Sequence, residues 1–363
     1  MSRDQLLVID QGTTSTRAVV YNRKLQVMGQ SQLEVSPTYP QSGWVEHDPR
    51  AIRNSVGSQV TAALLDAGIK SDEIAAIGLT NQRETTIIWE RASGNPIAPA
   101  LVWQDRRTAE TCERLKPEQG RVSERTGLVI DPYFSATKIA WILDRFPRAR
   151  SRAQAGELAA GTVDSFLVWH LTGGRSFVTD ATNASRTLLM DLRTVRWADD
   201  LCDLFGVPRA ILPEILPSAG EFGRTHGLDY LPDGVPITGI AGDQQASLIG
   251  QGCFSDGQAK CTYGTGAFLL AHTGGRIVPS RGGLITTLAA SFASGPPQYA
   301  LEGSVFVAGA AVQWFRDGLK AIGAAPEIDT LALSGDPGSG VIFVPALTGL
   351  GAPYWEPSAR GVV

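Results

Sequence analysis

The 363-residue chain contains no C-x-x-C pair, no H-E-x-x-H and no G-x-x-x-x-G-K-[ST]. Each absence removes a class of chemistry. Cys112, Cys202, Cys253 and Cys261 have no regular spacing, which argues against a disulfide scaffold or a zinc site and fits reduced thiols. The four histidines, His47, His170, His226 and His272, are isolated, so no dedicated transition-metal site is expected. Without a P-loop, any phosphate chemistry must use other turns. Lysine is scarce: only six of the 32 basic residues are Lys. With a net charge of −4 and a pI near 5.7, a general nucleic-acid-binding surface is not expected. Long apolar runs are also missing. None approaches a membrane span, and Leu6–Ile9 is far too short for a signal peptide. These absences predict a soluble, cytoplasmic protein without a membrane span.

What is present is a globular composition, 43% apolar and 19% charged, at a length for which two domains are the default. The chain is organised around Ile237–Gly252, ITGIAGDQQASLIGQG, which reads as a strand, a Gly, and then Asp243-Gln244-Gln245 opening a helix. Carboxyl ends of strands in open α/β sheets form ligand crevices. An Asp there can accept a proton from a substrate hydroxyl, with Gln244 orienting that hydroxyl. It can equally cap the helix. Taken alone the stretch favours the cap; the remainder of the chain favours the base.

From the start, Leu6–Ile9 and Arg17–Tyr21 predict a hairpin around Asp10-Gln11-Gly12-Thr13-Thr14-Ser15. Its Gly and hydroxyls can meet an anion, and Asp10 can hold Mg²⁺ through water. Leu25–Val35 continues the sheet, and a helix runs from Asp48-Pro49 to Gly68. After strand Ile74–Leu79, Arg83 and Glu84 form either a solvated turn or a donor–acceptor pair for a polyol. Thr86–Glu90 and Ala100–Trp103 are expected to form a strand pair, with Trp103 either core or an apolar wall. Phe134–Phe146, Thr162–Leu171 and Asp199–Phe205 read as helices. Ala259–Tyr263 and Ala267–Ala271 then repeat the first hairpin around Gly264-Thr265-Gly266.

A strand–phosphate-turn–strand unit in each of two domains resembles the actin, Hsp70 and sugar-kinase ATPase architecture. The segments IDQGTTSTR (Ile9–Arg17), TNQRETT (Thr80–Thr86), WQDRR (Trp103–Arg107), DPYFSATK (Asp131–Lys138), TDATNASRTLL (Thr179–Leu189), AGDQQ (Ala241–Gln245), TYGTGAF (Thr262–Phe268) and VPALTGLGAPYW (Val344–Trp355) together resemble the FGGY carbohydrate kinase family. The NQRET and AGDQQ pairing is similar to the branch of that family that phosphorylates glycerol.

The resemblance implies an α/β fold of two ribonuclease H-like domains, 1–252 and 253–363, with a nucleotide cleft between them and the second domain incomplete. It implies phosphorylation of glycerol by Mg-ATP to sn-glycerol 3-phosphate. Asp243 would be the general base. Arg83, Glu84, Tyr133 and Gln244 would bind the acceptor, with Trp103 and Phe268 against its carbons. Thr13, Thr14, Ser15 and Arg17 would meet the phosphates, and Thr265, Gly309 and Gln313 the nucleotide. Asp10, through water, and Asp243 would serve the metal.

The resemblance also implies a homodimer or homotetramer. Loop Leu228–Pro236 lacks the Arg of the fructose 1,6-bisphosphate site of some relatives, and Asp229 stands where others carry a phosphorylated His, so neither control is expected. The family continues beyond its GAPYW segment, so the apolar strands Val341–Val344 and Leu301–Val307 are expected to lack part of their cover and activity to be low. The alternatives are a xylulokinase-like sugar kinase, or a non-catalytic actin- or Hsp70-like nucleotide-binding protein.

Overall fold

In the computed structural model, which describes residues 3–280, 282–292, 295–336 and 338–363, the chain opens with strand β1 (Gln5–Gln11). Leu7, Ile9 and Gln11 are buried on one face, and Asp10 lies on the other. That is the period of two expected of a strand with unlike faces. β1 pairs antiparallel with β2 (Ser15–Tyr21), which pairs antiparallel with β3 (Val27–Glu34). On its other side β1 runs parallel to β4 (Ile74–Asn81). After β5 (Ala219–Arg224), β6 (Pro236–Gly242) lies parallel to β4 and antiparallel to β5. The resulting six-stranded sheet has the order β5-β6-β4-β1-β2-β3. The carboxyl ends of β1, β4 and β6 therefore lie side by side, and each leads into a segment expected to carry chemistry.

Helix α1 (Pro49–Ala67) covers one face of this sheet. Its bounds follow from local chemistry: the Asp48 side chain accepts from Arg50 N, Pro49 fills the first position, and Gly68 closes the helix at φ 66°. Ile52, Val56, Val60, Ala63 and Leu64 recur at helical spacing and pack with Leu7, Ile9, Ala18 and Val20. Full burial of each large side chain contributes about 1.5–3 kcal/mol.

The second half builds a four-stranded antiparallel sheet of β7 (Ala259–Tyr263), β8 (Ala267–Gly274), β9 (Ile285–Leu288) and β10 (Tyr299–Val305), in the order β7-β8-β10-β9. Phe268, Leu270, Ile285, Ala300 and Phe306 belong to the same buried cluster as Trp103, Tyr133, Phe134 and Leu248. The second sheet thus shares a core with residues of the first half.

Three local expectations are corrected. Thr86–Glu90 and Ala100–Trp103 do not form a ladder with each other. Ile87–Glu90 pairs with Leu158–Gly161 and Ala100–Leu101 with Glu46–His47, leaving only the bridges Thr86–Leu101 and Trp89–Pro96. Pro96 and Pro99, in the stretch between these two bridges, have no N–H with which to continue a ladder. Val341–Val344 is not a strand, since it makes one bridge, Val344 to Val362, although its expected lack of cover agrees with the 71% and 76% exposure of Val341 and Ile342. Leu301–Val307, by contrast, is mostly covered. Glu302, Ser304, Phe306 and Val307 are buried, Leu301 and Gly303 are half-buried, and Val305 is exposed.

β3 passes α1 so closely that a Cβ on Gly29 would stand 2.3 Å from the Ala67 nitrogen. Gly29→Ala should therefore cost about 1–3 kcal/mol in urea unfolding, because the backbones must separate. Gly120→Ala is the contrast: it lies on a helix with nothing within 4 Å of its would-be Cβ. That change should be neutral or stabilise by up to ~1 kcal/mol.

Candidate active site

Where β4 ends, the chain turns through Gln82-Arg83-Glu84. Glu84 adopts φ 61°, a left-handed conformation that is costly for a residue with a Cβ. Arg83 and Glu84 are only 2% and 1% exposed, so the solvated-turn reading fails. Where β6 ends, Gly242 is the N-cap of helix α2 (Asp243–Gly250) and Asp243 is its first residue. Asp243 is therefore not the cap. Its carboxylate accepts from Gln244 N and Gln244 Nε2, each at 2.8 Å, and its side chain remains 35% exposed. A carboxylate in the first helical turn is favoured by the helix dipole.

These ends open on a cavity of about 190 Å³. All seven residues expected at the acceptor line it: Arg83, Glu84, Trp103, Tyr133, Asp243, Gln244 and Phe268. Trp103 stands edge-on to both Tyr133 and Phe268, each pair with ring centroids 5.8 Å apart. One wall is thus aromatic and the other ionic. Thr13, Thr14 and Thr265 border this cavity and also an adjoining cleft of about 920 Å³, where Ser15 and Gln313 join them. The two Gly/Thr turns therefore face each other across the junction. Trp103 Nε1 donates to Thr13 Oγ1 at 2.8 Å, tying the aromatic wall to the first turn.

The other expected residues lie around this junction. Gly309 starts the short helix Gly309–Gln313 and packs on the second turn; a Cβ there would stand 2.5 Å from the Gly264 carbonyl oxygen. Arg17 lines neither cavity and donates to Gln32 Oε1 on the exposed side of the sheet. Asp10 is Arg17's cross-strand partner. Burial, and then the charge of Asp243, push the Asp10 carboxyl up to about 6 against the pull of Arg17.

Sequence reading missed the side chains that hold this site. Arg83 donates to Glu302 of β10 through both terminal nitrogens, at 2.5 and 2.9 Å. It also reaches Gln245 and the Tyr133 hydroxyl. Arg186 donates to Glu84 at 2.6 Å and to Glu302 at 2.9 Å. All four charged groups are buried. Burial alone would raise Glu302, but Arg186 and Arg83 hold it down to about 2. Burial raises Glu84 despite its arginines. The available signal was a lone carboxylate inside the apolar strand YALEGSV.

Glu302→Gln leaves two buried guanidiniums short of one counter-charge and should cost about 3–5 kcal/mol at pH 7. Glu302's folded pKa lies below its unfolded value of 4.5, so its contribution is present above that pH and is lost as pH falls toward about 2. Urea unfolding across this window should show the gap between wild type and variant narrowing as pH falls.

Comparison with known proteins bears on the family and the fold. Residues 5–250 match the N-terminal domain of the FGGY family of carbohydrate kinases, and residues 259–363 match its C-terminal domain. A glycerol kinase of Myxococcus xanthus is 55% identical over 361 residues, covering 98% of this chain and 73% of its own. One of Methylobacterium nodulans is 56% identical, covering 99% and 71%. Among solved structures, a Plasmodium falciparum glycerol kinase with ADP superposes with a TM-score of 0.87 at 38% identity, covering 99% of this chain and 72% of its own. A gluconate kinase from Lactobacillus acidophilus, at 23% identity and a TM-score of 0.83, shares the fold. The chain belongs to the FGGY family of carbohydrate kinases.

Proposed function

We propose that this chain is a glycerol kinase, transferring the γ-phosphoryl group of ATP to a terminal hydroxyl of glycerol to give sn-glycerol 3-phosphate and ADP. The observation that carries the reading is the small cavity in which Arg83, Glu84, Tyr133 and Asp243 converge beside two aromatic rings, at the junction of both Gly/Thr turns. At about 190 Å³ it lies below the ~300–1,000 Å³ of pockets for drug-sized ligands and suits a three-carbon polyol. Glycerol needs groups that both give and accept hydrogen bonds on one side and an apolar surface on the other. Arg83 Nε is buried, has no hydrogen-bond partner and lies 3.4 Å from Asp243 Oδ1, so it can donate to a bound hydroxyl. Glu84 accepts from another, and Trp103 and Phe268 cover the carbons.

In the reaction, Asp243 takes the proton as the hydroxyl oxygen bonds to the γ-phosphorus, and the bond from that phosphorus to the β,γ-bridging oxygen breaks. Phosphoryl transfer of this kind depends on alignment and charge neutralisation. Thr13, Thr14 and Ser15 on one side, and Thr265 and Gln313 on the other, line the larger cleft and would meet the nucleotide there. Trp103 and Phe268 exclude water, the competing acceptor.

Mg²⁺ fits the donor set. After burial, the charge of Asp243 helps push the Asp10 carboxyl up to about 6, a repulsion that a divalent cation would relieve. No group of three or more His, Cys, Asp or Glu forms a metal cage among the described residues. That suits an ion which keeps water and takes phosphate oxygens beside one or two carboxylates. Bound there, Mg²⁺ would neutralise phosphate charge.

Asp243→Asn should lower kcat by at least ~10²-fold while glycerol still binds. A coupled assay for ADP release, with glycerol binding followed by calorimetry, checks this; near-normal turnover would remove Asp243 as the base. Asp10→Asn should weaken ADP binding about tenfold when Mg²⁺ is present and change it little when the metal is chelated. Titration calorimetry of ADP under both conditions separates a metal role from a structural one.

A further inference from the structure

Lys260 lies on β7, is 5% exposed, and has no part in the site as described so far. Its ammonium donates to Gln244 Oε1, to Thr262 Oγ1 at 2.8 Å and to the Phe268 carbonyl at 3.3 Å. Gln244 in turn donates from Nε2 to Asp243 Oδ2 at 2.8 Å. The amide of Gln244 is therefore suspended between a buried cation and the carboxylate expected to act as base.

From this arrangement we propose that Lys260 is a positioning residue: it locks the Gln244 amide in the one orientation that directs its NH₂ at Asp243. An ammonium only donates and an ionised carboxylate only accepts. An amide between them satisfies both with its oxygen toward Lys260 and its nitrogen toward Asp243. Turned by half a rotation, it would set NH₂ against NH₃⁺ and C=O against COO⁻, leaving two partly buried polar contacts unmade. Without Lys260 the penalty at one end disappears, and the amide can turn its oxygen toward Asp243. The carboxylate would then lose a donor that holds Oδ2 and meet a lone pair in its place.

The arrangement also couples the two halves. Gln244 and Asp243 lie in the segment matching the N-terminal domain, Lys260 in the segment matching the C-terminal one. The aim of the base is thus set by a strand from the other side of the cleft. Thr262, a second partner of Lys260, borders the acceptor cavity, so the ammonium is anchored from its own strand as well.

The inference rests on the reading of Asp243 as base, and its test is separable from that reading. Lys260→Met keeps the length of the side chain and removes the donor. It should lower kcat roughly ten- to hundredfold, the scale of one lost charge-assisted hydrogen bond, and leave the ATP KM within about twofold. Gln244→Leu should lower kcat similarly. In the double variant the effects should not multiply, because Lys260 acts through Gln244: kcat should lie within about twofold of the worse single variant.

Multiplicative losses, or a rise in ATP KM as the main effect of Lys260→Met, would overturn the proposal; the latter would make Lys260 a phosphate contact. Should Lys260→Met fail to fold, Lys260→Gln, which retains a donor, should keep kcat within about fivefold of wild type. A folded Lys260→Gln enzyme impaired a hundredfold would also overturn it. Asp243→Asn measured alongside tells the two failures apart. If that variant is inactive while Lys260 and Gln244 act independently, only the positioning role fails.

Discussion

The site depends on one buried charge arrangement. Glu302 on β10 faces both Arg83 and Arg186, and Arg186 also holds Glu84. A guanidinium without a counter-charge in such surroundings would be costly, so these four groups are stable only together. Because Glu302 belongs to the second sheet and the other three to the first half, the ionic wall of the small cavity is complete only when the halves are packed. The aromatic cluster that joins them, Trp103, Tyr133, Phe268 and Phe306, supplies the apolar surroundings in which that pairing is strong.

On the proposed reading, this arrangement would also make Arg83 selective. Its two terminal nitrogens are committed to Glu302, Gln245 and Tyr133, which leaves Nε as the donor directed toward Asp243 and the cavity. A flexible arginine would adapt to many polyols, whereas one anchored at both ends presents a single donor at a set position. The left-handed backbone of Glu84 serves the same end, turning two successive long side chains inward from the tip of β4. Backbone strain of this kind persists only where surrounding packing enforces it.

Much was legible in the residues themselves. The first hairpin, α1 with its Asp48 and Gly68 ends, and the second hairpin all follow from short-range chemistry: alternation, capping and glycine at turns. The residues that line the small cavity were also legible as strand-end groups, because a carboxylate at a strand tip and an Arg-Glu pair after another strand are local patterns. The misplaced pairing of Ile87–Glu90 had a different origin. Its partner, Leu158–Gly161, lies about seventy residues away, and nothing near either segment marks the other.

The sequence by itself determined the two Gly/Thr hairpins, α1 and the polar residues at the strand ends, since each depends on neighbours a few positions apart. Only the tertiary structure decided what those residues are paired with. Glu302 and Lys260 read locally as single charges within apolar strands, and both are buried against groups of the first half. A charge becomes a counter-ion or an anchor only when another element closes over it and excludes water. That closure is a long-range property of the packed chain, which no window of neighbouring residues contains.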